Sequence, residues 1–246
     1  MCGELFLKHL DKKIKLVREN LVHLIEFSAM RSYEEYCAIA KSLDVVGDRW
    51  TLLIVRELAL RGPCRYTDLR NGLPGIATNL LADRLRELER AGVVAREEAP
   101  PPVATTLFAL TSRGEGLRPV LEDLTRWGLP LMTEDKPEDA VRSHWLASAL
   151  ELMLDEPLPD GGPVTLELQT GDEPIVLEAR DGAIHTRLGT ALHPDATLIG
   201  APRPIMGLLL GLIELSGAEA LGVTYQGDPA VLQRLRAGSS PAVLAS

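Results

Sequence analysis

Aromatic side chains make up only 4% of the 246 residues, cysteine occurs three times, and the longest strongly apolar run, Ile205 to Ile213, contains two glycines. That run falls far short of the ~20 apolar residues a membrane helix requires, so no membrane partner is expected. Cys2, Cys37 and Cys64 are too few and too scattered for a disulfide framework, and no pair has metal-ligand spacing. The N-terminus also lacks the basic, then apolar, then small order of a signal peptide. These absences give a cytoplasmic expectation. Catalytic signatures are missing as well. His9, His23, His144, His185 and His193 show neither HExxH nor His-x-His spacing, and there is no Gly-x-Ser-x-Gly, Walker loop or βαβ glycine fingerprint. No catalytic residue, metal or cofactor is therefore expected, and the chain reads as non-enzymatic. His144 beside Trp145 reads as a packing residue, and Asp172-Glu173 as a turn pair.

Positive charge is also scarce, with a formal net charge of −9. Its distribution matters more than its sum. Residues 1–36 carry 6 basic and 6 acidic side chains, residues 37–127 carry 13 and 12, and the remainder 7 and 17. The excess acid thus lies almost wholly in the last half, which leaves the middle segment free to meet phosphates and suggests two domains with different partners.

What is present is strong helical and strand periodicity. Leu7, Leu10, Ile14, Val17, Leu21 and Leu24 form one apolar stripe, so residues 1–30 read as a dimer-contributing helix or as an upstream extension preceding Met30. Helices are expected over 36–46, 49–60, 66–73 and 78–90, punctuated by Gly47-Asp48, Arg61-Gly62-Pro63, Leu73-Pro74-Gly75 and Ala91-Gly92. Runs at 93–96 and 105–110 around Pro100-Pro101-Pro102 predict a two-stranded ribbon, and 115–127 a further helix. Helix-turn-helix followed by a ribbon is the winged-helix order, which docks one DNA half-site. Residues 31–132 are taken as this domain.

A charged and proline-bearing stretch at 133–138 reads as a linker. Beyond it, 138–238 predicts a second domain: a helix over 139–154, an antiparallel meander of strands at 164–169, 175–179 and 184–188, and a strand at 196–199. An apolar helix over 205–215, a strand at 223–225 and a helix over 228–235 follow. The expected fold class is α+β: an N-terminal winged helix, mainly α with a two-stranded wing, followed by a smaller α+β domain with an antiparallel sheet.

The segments Leu43–Ile54 (LDVVGDRWTLLI), Arg65–Leu69 (RYTDL), Leu73–Ile76 (LPGI), Arg84–Glu89 (RLRELE) and Ala91–Val94 (AGVV), preceded by Cys37, resemble the HxlR-type winged-helix regulators. The resemblance covers about 90 residues and implies a sequence-specific, DNA-binding transcriptional regulator. Ala196–Gly211 (ATLIGAPRPIMGLLLG) and Val223–Leu235 (VTYQGDPAVLQRL) resemble the SCP2-like lipid-carrier domains, and this implies a fold with an apolar cavity.

On the helix over 78–90, Leu80, Leu81, Leu85 and Leu88 face inward, which turns Thr78, Asn79, Ala82, Asp83 and Arg86 outward into the major groove. Asn matches adenine bidentately, Arg matches guanine or phosphate, and Thr78 at the helix start suits a phosphate. Arg49, Arg65, Tyr66, Arg84 and Arg96, with Arg113, lie where the fold meets the backbone. Any one of them reads equally as a surface ion pair, for instance Arg84 with Glu87 three residues on. Val103-Ala104-Thr105-Thr106, after Glu97-Glu98, stands where the resembled regulators place arginine, so few phosphate contacts are expected from the wing.

Cys37, at a helix start, is a candidate redox thiolate or a small core residue. Trp145, Met206, Leu209, Leu210 and Ile213 are candidates to line an apolar ligand cavity, or simply core. The expected partners are double-stranded DNA, a second copy in a homodimer through the helix around 115–127, and a small apolar ligand. A redox-sensing regulator and a lipid-binding carrier are the alternatives.

Overall fold

The computed structural model describes residues 32–98, 105–132, 139–154 and 162–236. The stripe expected in residues 1–30, the proline-rich ribbon tip and the 133–138 linker lie outside the described residues. The chain divides at Arg118–Pro119 into two compact units. Among the described residues, no helix is long and apolar enough to cross a membrane.

In the first unit, α1 (Ala38–Val46), α2 (Thr51–Arg61), α3 (Tyr66–Gly72) and α4 (Thr78–Arg90) precede β2 (Val94–Glu98), β3 (Thr106–Leu110) and the short α5 (Ser112–Glu115). The ribbon has a third strand that periodicity missed. β1 (Cys64–Arg65) pairs antiparallel with β3, Cys64 opposite Phe108, to give the order β1-β3-β2. Two residues are too few to show a period-2 pattern. Ile54, Val55 and Leu58 of α2, Leu69 and Leu73, and Leu81, Leu85 and Leu88 of α4 fill the core. Each such side chain contributes roughly 1.5 to 3 kcal/mol on leaving water.

A polar knot fixes the end of α4. Thr111 donates its hydroxyl to Gly92 O at 2.6 Å and accepts from Gly114 N at 3.1 Å, which caps α5. The helix expected over 115–127 is α6 (Arg118–Gly128), which starts three residues later, and the short α5 that precedes it was not expected.

The second unit holds α7 (Ser143–Met153), β4 (Val164–Gln169), β5 (Ile175–Arg180), β6 (Ala183–Leu188), β7 (Ala196–Ile199), α8 (Pro202–Leu209), α9 (Leu215–Ala220), β8 (Thr224–Gly227) and α10 (Pro229–Arg236). Strand order is β6-β5-β4-β7-β8. β4, β5 and β6 form the expected antiparallel meander, but the sheet is mixed rather than antiparallel throughout. β7 returns to lie parallel to β4, Leu166 opposite Ala196. The 189–195 connection crosses two strands, and Ala191 N donates to the buried Glu167 carboxylate at 2.8 Å on the way.

The single helix expected over 205–215 is also corrected. α8 ends at Leu209, Gly211 takes a φ of +72°, and Glu214 becomes the N-cap of α9 with its carboxylate paired to Arg236 at 2.9 Å. A left-handed residue cannot continue a helix. The core of this unit joins α7 to one sheet face through Leu146, Leu150, Leu166, Leu168, Leu177 and Leu198, with Ile205, Leu208 and Leu209 from α8.

Candidate nucleic-acid interface

The helix-turn-helix is α3, the turn at Leu73-Pro74-Gly75, and α4. The spacing of Leu81, Leu85 and Leu88 places one stripe of α4 in the core, each no more than 1% exposed. By the same period Thr78, Asn79, Asp83 and Arg86 are exposed, whereas Ala82, expected outward with them, is half-buried. Arg86 and Asp83 pair across one turn at 2.9 Å while both remain about half exposed, so the guanidinium can leave Asp83 for a base or phosphate at little cost. Arg90, exposed and four residues beyond Arg86, extends the same face. Sequence reasoning passed over it, although its i+4 and i+7 spacing from Arg86 and Asp83 carried the signal.

Beside this face, the start of α3 meets the ribbon. Arg65, Tyr66, Thr67, Arg96, Thr105, Thr106 and Phe108 line an open recess of about 470 Å³. Arg65 is exposed, its backbone N–H bound at 3.2 Å by Asp68. Arg96 is half exposed, pairs with Glu89 at 2.6 Å, and lies 5.3 Å from the Phe108 ring centroid. Arg49 lies over the Trp50 ring at 5.9 Å and is exposed. Tyr66 is not a free hydrogen-bond donor on the surface. Its hydroxyl donates to Thr78 O at 2.6 Å and joins the starts of α3 and α4.

Arg84 departs furthest from the expectation of a phosphate contact. Its guanidinium pairs with Asp48 as well as with the Glu87 foreseen from spacing, and only 11% of its side chain is exposed, against 53% for Arg86. It lies on the flank of the buried stripe, turned away from Asn79 and Arg86.

Residues 45–136 match the family model described as HxlR-like helix-turn-helix. The chain is 36% identical over 87 residues to the uncharacterized HTH-type transcriptional regulator YvaP of Bacillus subtilis, spanning 35% of this chain and 80% of that protein. It is 35% identical over 95 residues to YkvN of the same organism, spanning 37% of this chain and 77% of that one. The chain belongs to the HxlR-like helix-turn-helix family. Among solved structures, the reduced form of the B. subtilis transcriptional regulator YodB is 28% identical, with 42% of this chain and all of that chain covered and a TM-score of 0.36. By its family membership and its sequence relatives, this HxlR-like protein is a DNA-binding transcriptional regulator. The family match ends at residue 136 and so takes in only residues 119–136 of the second unit.

Two further groups of candidates take their places in this HxlR-like chain. Cys37 is the N-cap of α1 and exposed, and the backbone N–H groups of Ala40 and Ile39 hold its thiol below the ordinary value. Cys64 is buried, with its Sγ 3.2 Å from Gly62 O, and burial pushes its thiol up. Of the cavity candidates, Leu209 and Leu210 are closed into the second unit's core, while Met206 and Ile213 pack half-buried against it and Trp145 is half-buried on α7.

Proposed function

We propose that this regulator reads DNA by laying α4 in the major groove, with Asn79 and Arg86 at base edges and Thr78, Ala82 and Asp83 beside them. Arg49, Arg65 and Arg96, with the α3 start at Tyr66, follow the backbone on either side. The observation that carries this reading is the division of α4 between a fully buried leucine stripe and an exposed face that holds asparagine and arginine. Recognition helices of this kind act in pairs on palindromic sites. The active form is accordingly a cytoplasmic homodimer joined through α6. In its support, Val120, Leu124, Trp127 and Leu131 are exposed at helical spacing on and just beyond that helix, which buries none of its own side chains.

The second unit is read as an SCP2-like ligand-binding domain whose apolar effector shifts the regulator between DNA-binding states. This requires unequal affinity of the effector for those states. Half-buried Met206 and Ile213 at the margin of the core support it, whereas Leu209 and Leu210 lie inside and would be reached only by opening that core. The test is footprinting of DNA upstream of the protein's own coding region, with and without a lipid extract. Two protected half-sites related by a dyad are expected, with occupancy altered by the extract. A single unpaired half-site would remove the dimer, and an extract without effect would remove the ligand.

A second reading, redox sensing through Cys37, is favoured by one observation: the exposed thiol sits at a helix N-terminus whose amides stabilise the thiolate.

A further inference from the structure

Three leucines hold α4 in the core, and apolar packing is non-directional. A helix seated only on Leu81, Leu85 and Leu88 keeps some freedom to roll about its axis, which would swing Asn79 and Arg86 past their base edges. Directional contacts must set the roll. One lies at the helix start, where Tyr66 donates to Thr78 O at 2.6 Å. Another lies mid-helix, where Arg84 reaches Asp48 in the α1–α2 connection, 36 residues away in sequence. The Arg84 side chain is mostly enclosed, and Glu87 on the next turn accepts from the same Nη1, so the guanidinium is clamped between its own helix and a neighbouring loop.

We propose that the Arg84–Asp48 pair is a brace that sets the axial rotation of the recognition helix, making Arg84 a positioning residue rather than a phosphate contact. The proposal rests on the DNA-binding reading of α4. It also gives Asp48 a purpose: an acid in a unit that approaches phosphates costs affinity by simple repulsion unless it holds something in place.

The two roles of Arg84 predict opposite signs for one substitution. Were Arg84 a phosphate contact, Asp48→Asn would release its charge, remove a repelling carboxylate and tighten DNA binding. As a brace, Asp48→Asn weakens specific binding despite the more favourable net charge. The probe is a duplex selected from random sequence by the full-length protein, titrated at several salt concentrations. Asp48→Asn and Arg84→Gln should each weaken that duplex about three- to thirty-fold, and the double variant should be no weaker than the worse single one. Binding to a scrambled duplex should stay within about two-fold of wild type for Asp48→Asn, because the brace sets register rather than charge. The salt slope of Arg84→Gln should match that of wild type, whereas loss of a phosphate contact lowers it by about one.

Thermal unfolding verifies that the variants are folded. If Arg84→Gln fails to fold, the sign of Asp48→Asn decides alone, since Asp48 is 42% exposed. Tighter binding by Asp48→Asn, or a reduced slope in Arg84→Gln, overturns the brace while leaving the DNA-binding reading intact. A selection that enriches no sequence overturns that reading and the brace with it.

Discussion

Asn79 stands in the first turn of α4 on its exposed face, one turn from Asp83 and two from Arg86. Its amide offers a donor and an acceptor side by side, the arrangement that adenine presents in the major groove. Asn79→Ala should therefore cost about 1 to 3 kcal/mol at one base position and leave the others unchanged. Titration against single-base operator variants checks this, and an unaltered preference would mean that α4 presents another face. Cysteine reactivity follows from the two thiol environments. Cys37 is exposed with its thiol lowered by helix N–H groups, and Cys64 is buried with its thiol raised. Alkylation of the folded protein by iodoacetamide should be faster at Cys37, with a rate midpoint below the ordinary thiol value of ~8.5. Peptide mapping that finds Cys64 labelled first would contradict it. The outward residues of α4 were legible in the sequence because a 3.6-residue period assigns both faces at once. The role of Arg84 was only half legible. Glu87 lies at local spacing and was foreseen, whereas Asp48 is close only in the folded chain.

Among the elements, α3 is held in place from beneath by α2. Glu57 is wholly buried and accepts from its neighbour Arg56 at 2.9 Å, and it lies so close to Gly72 that a Cβ there would meet its carboxylate at 2.2 Å. Gly72→Ala must displace a buried charged group and should destabilise the first unit by about 1 to 3 kcal/mol. Denaturant melts would register this as a lower midpoint at unchanged slope. An unmoved midpoint would show that Glu57 has room to turn aside. The wing strands carry Glu97 and Glu98 on β2, with Glu98 bonded to Thr106 at 3.0 Å, and the one arginine of β2 and β3, Arg96, already engages Glu89. Few phosphates can be neutralised there. The slope of log affinity against log salt should accordingly be modest, and a slope on the order of −10 would contradict it. Element positions were largely legible where each element repeats its own period over several residues: α4, β4 and β7 match the expected bounds. They were misjudged where a local conformation overrides an apolar run. Gly211 breaks the apolar stretch after α8.

Across the whole molecule, the two units share a dependence on ionised carboxylates. Asp44 is held below the ordinary carboxylate range first by the Tyr33 N–H, and Glu115 and Glu214 by hydrogen bonds from Arg118 and Arg236. Burial acts to raise Asp172, but the Ser143 N–H and hydroxyl and the Arg142 charge outweigh it, and the net shift is downward. A carboxyl whose value is lower in the folded state adds stability that is complete above its unfolded value and fades as pH falls toward the folded one. Stability should thus be level from neutral pH down to about 5 and fall below about 4. Denaturant melts across that range test it, and Asp172→Asn should be less stable at pH 7 but lose less of its stability on acidification. A variant as acid-sensitive as wild type would exclude Asp172 from the effect.

The sequence by itself determined the order of the elements, the buried and outward faces of α4 and the confinement of excess acid to the last half, because periodicity, punctuation and charge are local properties of a chain. Tertiary structure alone decided that Arg84 faces Asp48, that β1 completes the ribbon against β3, and that β7 runs parallel to β4. Each of these joins residues about 30 or more positions apart, and no local period encodes which distant partner will satisfy a charge or a strand edge.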